Sequence, residues 1–169
     1  LYGFDYFKSP ISGGSYVILF KKKKLSKSIS LKKILLEEKK LNLNSIREWQ
    51  KLNKKCLNHK EKFNNILNKY IKSSKIAAYG ASARSSTLIN YLELNNIVIK
   101  KVFDLNSLKH NLYTPGTHII IKKPDKKVIK NYDIILILAW NFKNEIYDYL
   151  KKINFRGKVI IPLPKIKLF

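Results

Sequence analysis

The second half of this sequence predicts an α/β protein, a parallel sheet between two helical layers, on three observations. Apolar strand-like runs recur from residue 75 onward, at 76–79, 97–103, 118–121, 133–139 and 158–163. Helical patterns fit between them, at about 125–130 and 143–153. The run DIILILA at 133–139 is nearly unbroken in apolar character, and a strand of that kind must be covered on both faces, as helices flanking a parallel sheet do. The predicted class is therefore a Rossmann-like three-layer parallel sheet over residues 75–169, preceded by a helical connector and a hairpin left from an upstream domain.

Taken in order, residues 1–24 read as the terminal hairpin of that upstream domain. Residues 1–7 are aromatic-rich, PISGGS at 10–15 is a turn with paired glycines, and SYVILF at 15–20 is a buried-type strand. A lone hairpin is at best marginally stable in water, so its sheet is expected to continue upstream of Leu1. The four lysines at 21–24 read as a solvated strand exit. Residues 25–74 read as connector, in which Ser30 can cap a short helix ending near Lys40. Asn44 or Ser45 can cap a longer one, with Glu48 at capping-box spacing from Ser45. Ile46, Trp49, Leu52, Cys56, Phe63, Ile66, Leu67, Tyr70 and Ile71 recur at three- and four-residue steps, one apolar stripe on a helix of about 25 to 28 residues. Cys56 on that stripe reads as a small buried hydrophobe, since no His or Asp pattern surrounds it.

Composition narrows the class. With 169 residues and 45% hydrophobic content the chain holds one ordinary domain plus appendages, and a soluble protein is expected. No apolar run approaches the ~18 residues of a membrane helix, and there is no basic-then-apolar signal segment. Starting at Leu1 with no Met, the chain reads as an excerpt of a longer polypeptide. One cysteine excludes an internal disulfide and fits a reducing cytoplasm, and no Cys/His cluster suggests a metal. The net charge of +24 is nearly all scattered lysine, which reads as a tolerant surface, with polyanion binding as the alternative.

The candidate site is organised by residues 76–92, IAAYGASARSSTLINYL. A short strand enters a Gly80-led polar turn and then a helix, a geometry that aims backbone N–H groups and a helix dipole at one place where phosphates are held. The turn lacks the further glycines of a dinucleotide fingerprint, so it reads equally as an ordinary strand-to-helix connection. Arg84 is one of three arginines, and its forked guanidinium suits phosphate. Asp104 closes the next strand 24 residues after Gly80, near the ~20-residue offset at which such folds place a carboxylate on a ribose hydroxyl. At the carboxyl ends of the strands the candidates are Tyr79, Gly80, Ala81, Ser82, Arg84, Asp104, Trp140 and Asn141, with Tyr113 and Thr117 from the nearby loop and His118 at the start of the strand that follows it. Tyr113, Trp140 and Asn141 offer stacking faces and amide hydrogen bonds for a base or sugar. Trp140 reads alternatively as a core residue finishing a strand, His118 as a structural histidine, and the segment 113–116 as a plain turn.

These stretches, AAYGASARSSTLINYL, VFDLNSLKHNLYTPGTHIII, DIILILAWNFKNEI and KVIIPLPKI, resemble the C-terminal domain of the S-adenosylmethionine-dependent nucleotide-sugar C-methyltransferases of the sugar C-3 methyltransferase type. The resemblance covers residues 75–166, and the GGS at 13–15 is similar to the hairpin ending that family's central domain. It implies an upstream zinc-binding region, an upstream domain that binds S-adenosylmethionine and carries the catalytic groups, and a nucleotide-diphosphate sugar bound between that domain and this one. Zinc and S-adenosylmethionine would therefore be held outside this segment, which by itself is expected to be inactive. Ser85 and Ser86 stand where the family usually has Gly-Asn, which makes close backbone approach of a phosphate harder. Tyr16 and Val17 stand where it usually has Leu-Arg.

The function this implies is positioning a nucleotide-linked keto-deoxysugar for methyl transfer to carbon, in the cytoplasm, with the upstream methyltransferase domain as partner and neither a membrane nor a specific nucleic acid. Two other readings of the residues stay open: a basic nucleic-acid-binding module, and a stand-alone Rossmann-like dinucleotide-binding domain with Asp104 on a ribose.

Overall fold

A computed structural model describes residues 1–11 and 14–169, so Ser12 and Gly13 of the expected PISGGS turn lie outside the described residues. The chain divides into two compact units, Leu1–Leu57 and Asn58–Phe169.

In the first unit β1 (Tyr2–Ser9) pairs antiparallel with β2 (Ser15–Lys21), from Tyr2 opposite Lys21 to Ser9 opposite Ser15. The hairpin is as expected, but the burial is not, because every residue of β2 is exposed. An apolar run encodes the extended backbone, whereas burial needs a second layer of chain over the strand, and among the described residues none covers β2. Helix α1 (Ile29–Lys40) is capped by Ser28, whose hydroxyl accepts from the Leu31 N–H at 3.1 Å, and not by Ser30. Ser28 has the extended backbone a cap requires; Ser30 lies inside the first turn and donates its hydroxyl to the Asp5 carboxylate at 3.1 Å.

Helix α2 (Ile46–Ile71) has 26 residues, and the Glu48 N–H reaches the Ser45 hydroxyl at 3.4 Å. Its apolar stripe has two fates. Phe63 and Leu67 are fully buried and Tyr70 and Ile71 pack beside them, while Ile46, Trp49 and Leu52 are exposed. Cys56 is exposed as well, a correction to its reading as a buried hydrophobe. Period alone makes the stripe, and only where the sheet lies under it is the stripe covered.

The second unit runs β3 (Ile76–Tyr79), α3 (Ala83–Tyr91), β4 (Ile99–Phe103), β5 (Ile121–Lys122), α4 (Lys126–Ile129), β6 (Ile134–Ile137), α5 (Lys143–Lys152), β7 (Lys158–Ile161) and β8 (Lys167–Leu168). The six strands form one mixed sheet in the order β5-β4-β3-β6-β7-β8, parallel except for β8. The third expected strand is displaced: His118, at φ 55°, and Ile119 belong to no strand, Ile120 forms an isolated antiparallel bridge with Tyr113, and the ladder to β4 starts at Ile121 opposite Val102. The antiparallel edge β8 has no sequence signal, being two exposed residues long.

Helices cover both faces of this sheet. On one face Phe63 and Leu67 of α2, Leu88 and Ile89 of α3 and Leu92 just beyond it pack with Ala78, Val102 and Leu136. On the other, Ile129 of α4 and Ile146 and Leu150 of α5 pack with Ala77, Phe103, Ile135 and Ile137. The alternation of strand side chains sends Ala77 and Ala78 to opposite cores. All four residues of β6 are buried, each such isoleucine or leucine contributing about 1.5–3 kcal/mol relative to exposure. Among the described residues no helix is long and apolar enough to cross a membrane.

Candidate functional site

The chain leaves β3 for β4 and β5 on one side, while β6 and β7 pair on the other, so the strand order reverses between β3 and β6. At such a reversal the connections depart in opposite directions and leave a crevice at the carboxyl ends. Tyr79 ends β3 opposite Ile137, and the Leu138 N–H donates to the Tyr79 carbonyl at 2.9 Å. Gly80 follows with φ +96°, donating its N–H to the Phe103 carbonyl at 2.7 Å. A Cβ on Gly80 would fall 2.4 Å from the Ala139 Cβ, so only glycine lets the turn lie against the end of β6.

A cavity of about 440 Å³ opens there. Tyr79, Gly80 and Ser82 form one wall, Asp104 and Lys109 a second, and Ala139, Phe142, Glu145 and Tyr149 a third. Asp104 is fastened from several directions. Its carboxylate accepts from the Ala81 N–H at 2.6 Å and the Asn106 N–H at 2.8 Å, while its own carbonyl lies 2.8 Å from His110 Nε2. Lys109 Nζ stands 3.7 Å from the carboxylate and donates to the Ala81 carbonyl at 2.8 Å. Burial, then the neighbouring Tyr149, then the negative charge of Asp104 push the Tyr79 phenol up to about 12. Burial also raises the Tyr149 phenol, with a smaller push from Asp125. Both phenols are thus neutral donors at physiological pH.

The polar turn spends several of its N–H groups internally: Gly80 on Phe103, Ala81 on Asp104, and Ser85 on the Ser82 hydroxyl at 3.2 Å, which caps α3. The cation on the cavity wall is Lys109, which the sequence did not single out. Arg84 and Trp140 line a different cavity of about 240 Å³, with Thr87, Leu88, Tyr91 and Leu163. Trp140 packs on both cores and opens the 3-10 turn Trp140–Phe142; Asn141, in that turn, is exposed. Tyr113 and His118 stack on each other at 4.6 Å, and Thr117 is buried with its hydroxyl 2.7 Å from that of Thr114. None of those three lines either cavity.

The structure therefore brings together Tyr79, Gly80, Ser82 and Asp104 and separates them from Arg84, Trp140, Tyr113, Thr117 and His118. Lys109, Phe142, Glu145 and Tyr149 are the wall residues missed. The spacing of 142, 145, 146 and 149 marks one helical face in the sequence. Which sheet end that face overlooks depends on the strand order. Chemically, the cavity offers aromatic faces, a carboxylate that accepts from hydroxyls, and an ammonium beside it, a set suited to a polyhydroxylated ligand bearing a ring.

Two comparisons with known proteins bear on this geometry. Residues 10–164 match the C-methyltransferase C-terminal domain family. Over 91 residues the chain is 33% identical to the C-methyltransferase NovU of Streptomyces niveus, a stretch that is 53% of this chain and 22% of NovU. The chain thus spans about a fifth of the length of that curated relative.

Proposed function

Since the chain belongs to the C-methyltransferase C-terminal domain family, we propose that it is the substrate-binding portion of a cytoplasmic S-adenosylmethionine-dependent enzyme that methylates a carbon of a nucleotide-linked keto-deoxysugar. The observation that carries this reading is the cavity where strand order reverses, with Asp104 closing β4 on its wall. The domain over residues 75–169 is read as Rossmann-like, with residues 25–74 as connector and residues 1–24 as the edge of an upstream methyltransferase domain. That upstream domain would hold the methyl donor and the catalytic groups, so the segment alone would not turn over substrate.

Carbon methylation beside a ketone needs a base to remove a proton and a donor to stabilise the enolate. The contribution of this chain is position: holding the nucleotide so that the sugar carbon meets the methyl group in a reactive geometry. In this reading Asp104 accepts from ribose hydroxyls, Lys109 faces the nearer phosphate, and Phe142, 55% exposed at the cavity mouth, stacks on the base.

Calorimetric titration of a nucleoside-diphosphate sugar into the enzyme tests this. Phe142→Ala should weaken affinity by about 1–3 kcal/mol, the range for losing an aromatic–base stack, while thermal stability stays unchanged. Equal affinity in the variant and wild type would remove the cavity from the substrate path.

A further inference from the structure

At the opposite end of the same sheet, the amino ends of β3, β6 and β7 surround a second concavity that the proposed reaction does not use. It measures about 470 Å³, and Lys130, Arg156 and Lys158 stand on its wall with Ser73 and Ser74. An adjoining hollow of about 340 Å³ shares Lys130 and Arg156, so these two cations separate a pair of neighbouring depressions. One carboxylate, Asp133, faces the larger hollow, and it already accepts the Lys75 N–H at 2.6 Å. Among the described residues neither Lys130 nor Arg156 forms an ion pair with an acid.

The backbone beneath these cations is tightly set. The turn from α5 into β7 presses Gly157 so closely on β6 that a Cβ there would lie 2.4 Å from the Asp133 carbonyl oxygen. The Lys158 N–H donates to that same carbonyl at 2.8 Å. Arg156 and Lys158 are thereby held on either side of a fixed point, and the Lys158 ammonium lies 5.8 Å from the centre of the Tyr70 ring. The lysines of this chain are scattered from end to end; here a guanidinium, two ammonium groups and two hydroxyls line one hollow. A guanidinium with flanking ammonium groups matches the forked acceptors of a phosphate.

We propose that this hollow is a second anion site, taking the phosphate groups of a compact phosphorylated molecule at the end of the sheet remote from the Gly80 turn. Because the concavity is bounded, at about 470 Å³, and lined by Tyr70 and Tyr132 beside its cations, it fits one such molecule better than an extended polyanion.

The test is titration of the isotope-labelled protein with inorganic pyrophosphate at physiological ionic strength, followed by amide spectra. The largest shifts should fall at Ser74, Arg156 and Gly157. Arg156→Gln and Lys130→Ala should each weaken binding at least fivefold, while Lys33→Ala, an equal loss of charge on exposed α1, changes it less than twofold. Shifts spread along the chain, shifts centred on the Gly80 turn, or an equal loss in Lys33→Ala would each overturn the proposal.

Discussion

Replacing Gly80 by alanine tests whether the turn that shapes the cavity is held by close contact with the end of β6. Two penalties add. At φ +96° an L side chain is in the left-handed half of backbone space, at a cost of about 1–2 kcal/mol. The new Cβ would also stand 2.4 Å from the Ala139 Cβ and 3.0 Å from the Ala139 nitrogen, well inside the ~3.5–4.0 Å of carbon contact, and forced overpacking of this kind costs about 1–3 kcal/mol. A total near 3 kcal/mol lowers the Tm of a chain of this size by roughly 6–12 °C. The steric part is separable. In a Gly80→Ala/Ala139→Gly double variant the closest atom is gone and the backbone penalty remains, so the pair should be more stable than the sum of the single losses predicts by about 1–2 kcal/mol. Thermal unfolding of the four proteins reads this cycle directly. A Gly80→Ala protein melting with wild type, or a double variant showing no recovery, would refute the contact as the reason for glycine.

Two further outcomes follow from the same coordinates. Tyr79 ionises near 10 in the unfolded chain and at about 12 in the folded one, so in that window the unfolded state releases the proton first and stability falls as pH rises. Unfolding curves should therefore steepen between pH 10 and 12 in wild type relative to Tyr79→Phe; matching slopes would contradict the burial of that phenol. Cys56 is exposed on α2, so in the native chain a thiol reagent should modify it nearly as fast as in the denatured chain. Protection by more than about tenfold would show that the N-terminal half of α2 is covered after all.

Much of the architecture was legible because it is written in local periodicity. The run at 133–139 announced a strand buried on both faces, and β6 lies between two cores with all four of its residues buried. The stepping of apolar residues from 46 to 71 announced a helix, and α2 has those bounds. What periodicity cannot contain is the identity of the surface that covers a stripe. Trp49 and Cys56 therefore have the same pattern as Phe63 and Leu67 and the opposite exposure. The carboxylate at Asp104 was readable from its offset, as was the glycine at 80, because a strand end and a tight turn are local events. Their joint use was not. Asp104 accepts one backbone N–H on each oxygen, from Ala81 and from Asn106, and keeps a further acceptor position on each, and Arg84, four residues from Gly80, lines another cavity. Lys109 joins Tyr79 because β4 pairs with β3 on one side, and Phe142 and Tyr149 join it because β6 pairs with β3 on the other and brings α5 to the turn. Sequence alone determined the long elements and the special backbone at Gly80, since both arise from interactions within a few residues, but not the short edge strands β5 and β8, which exist through their pairing. Tertiary structure alone decided which of their side chains share a wall, since that depends on strand order, a property of pairing between segments some 60 residues apart.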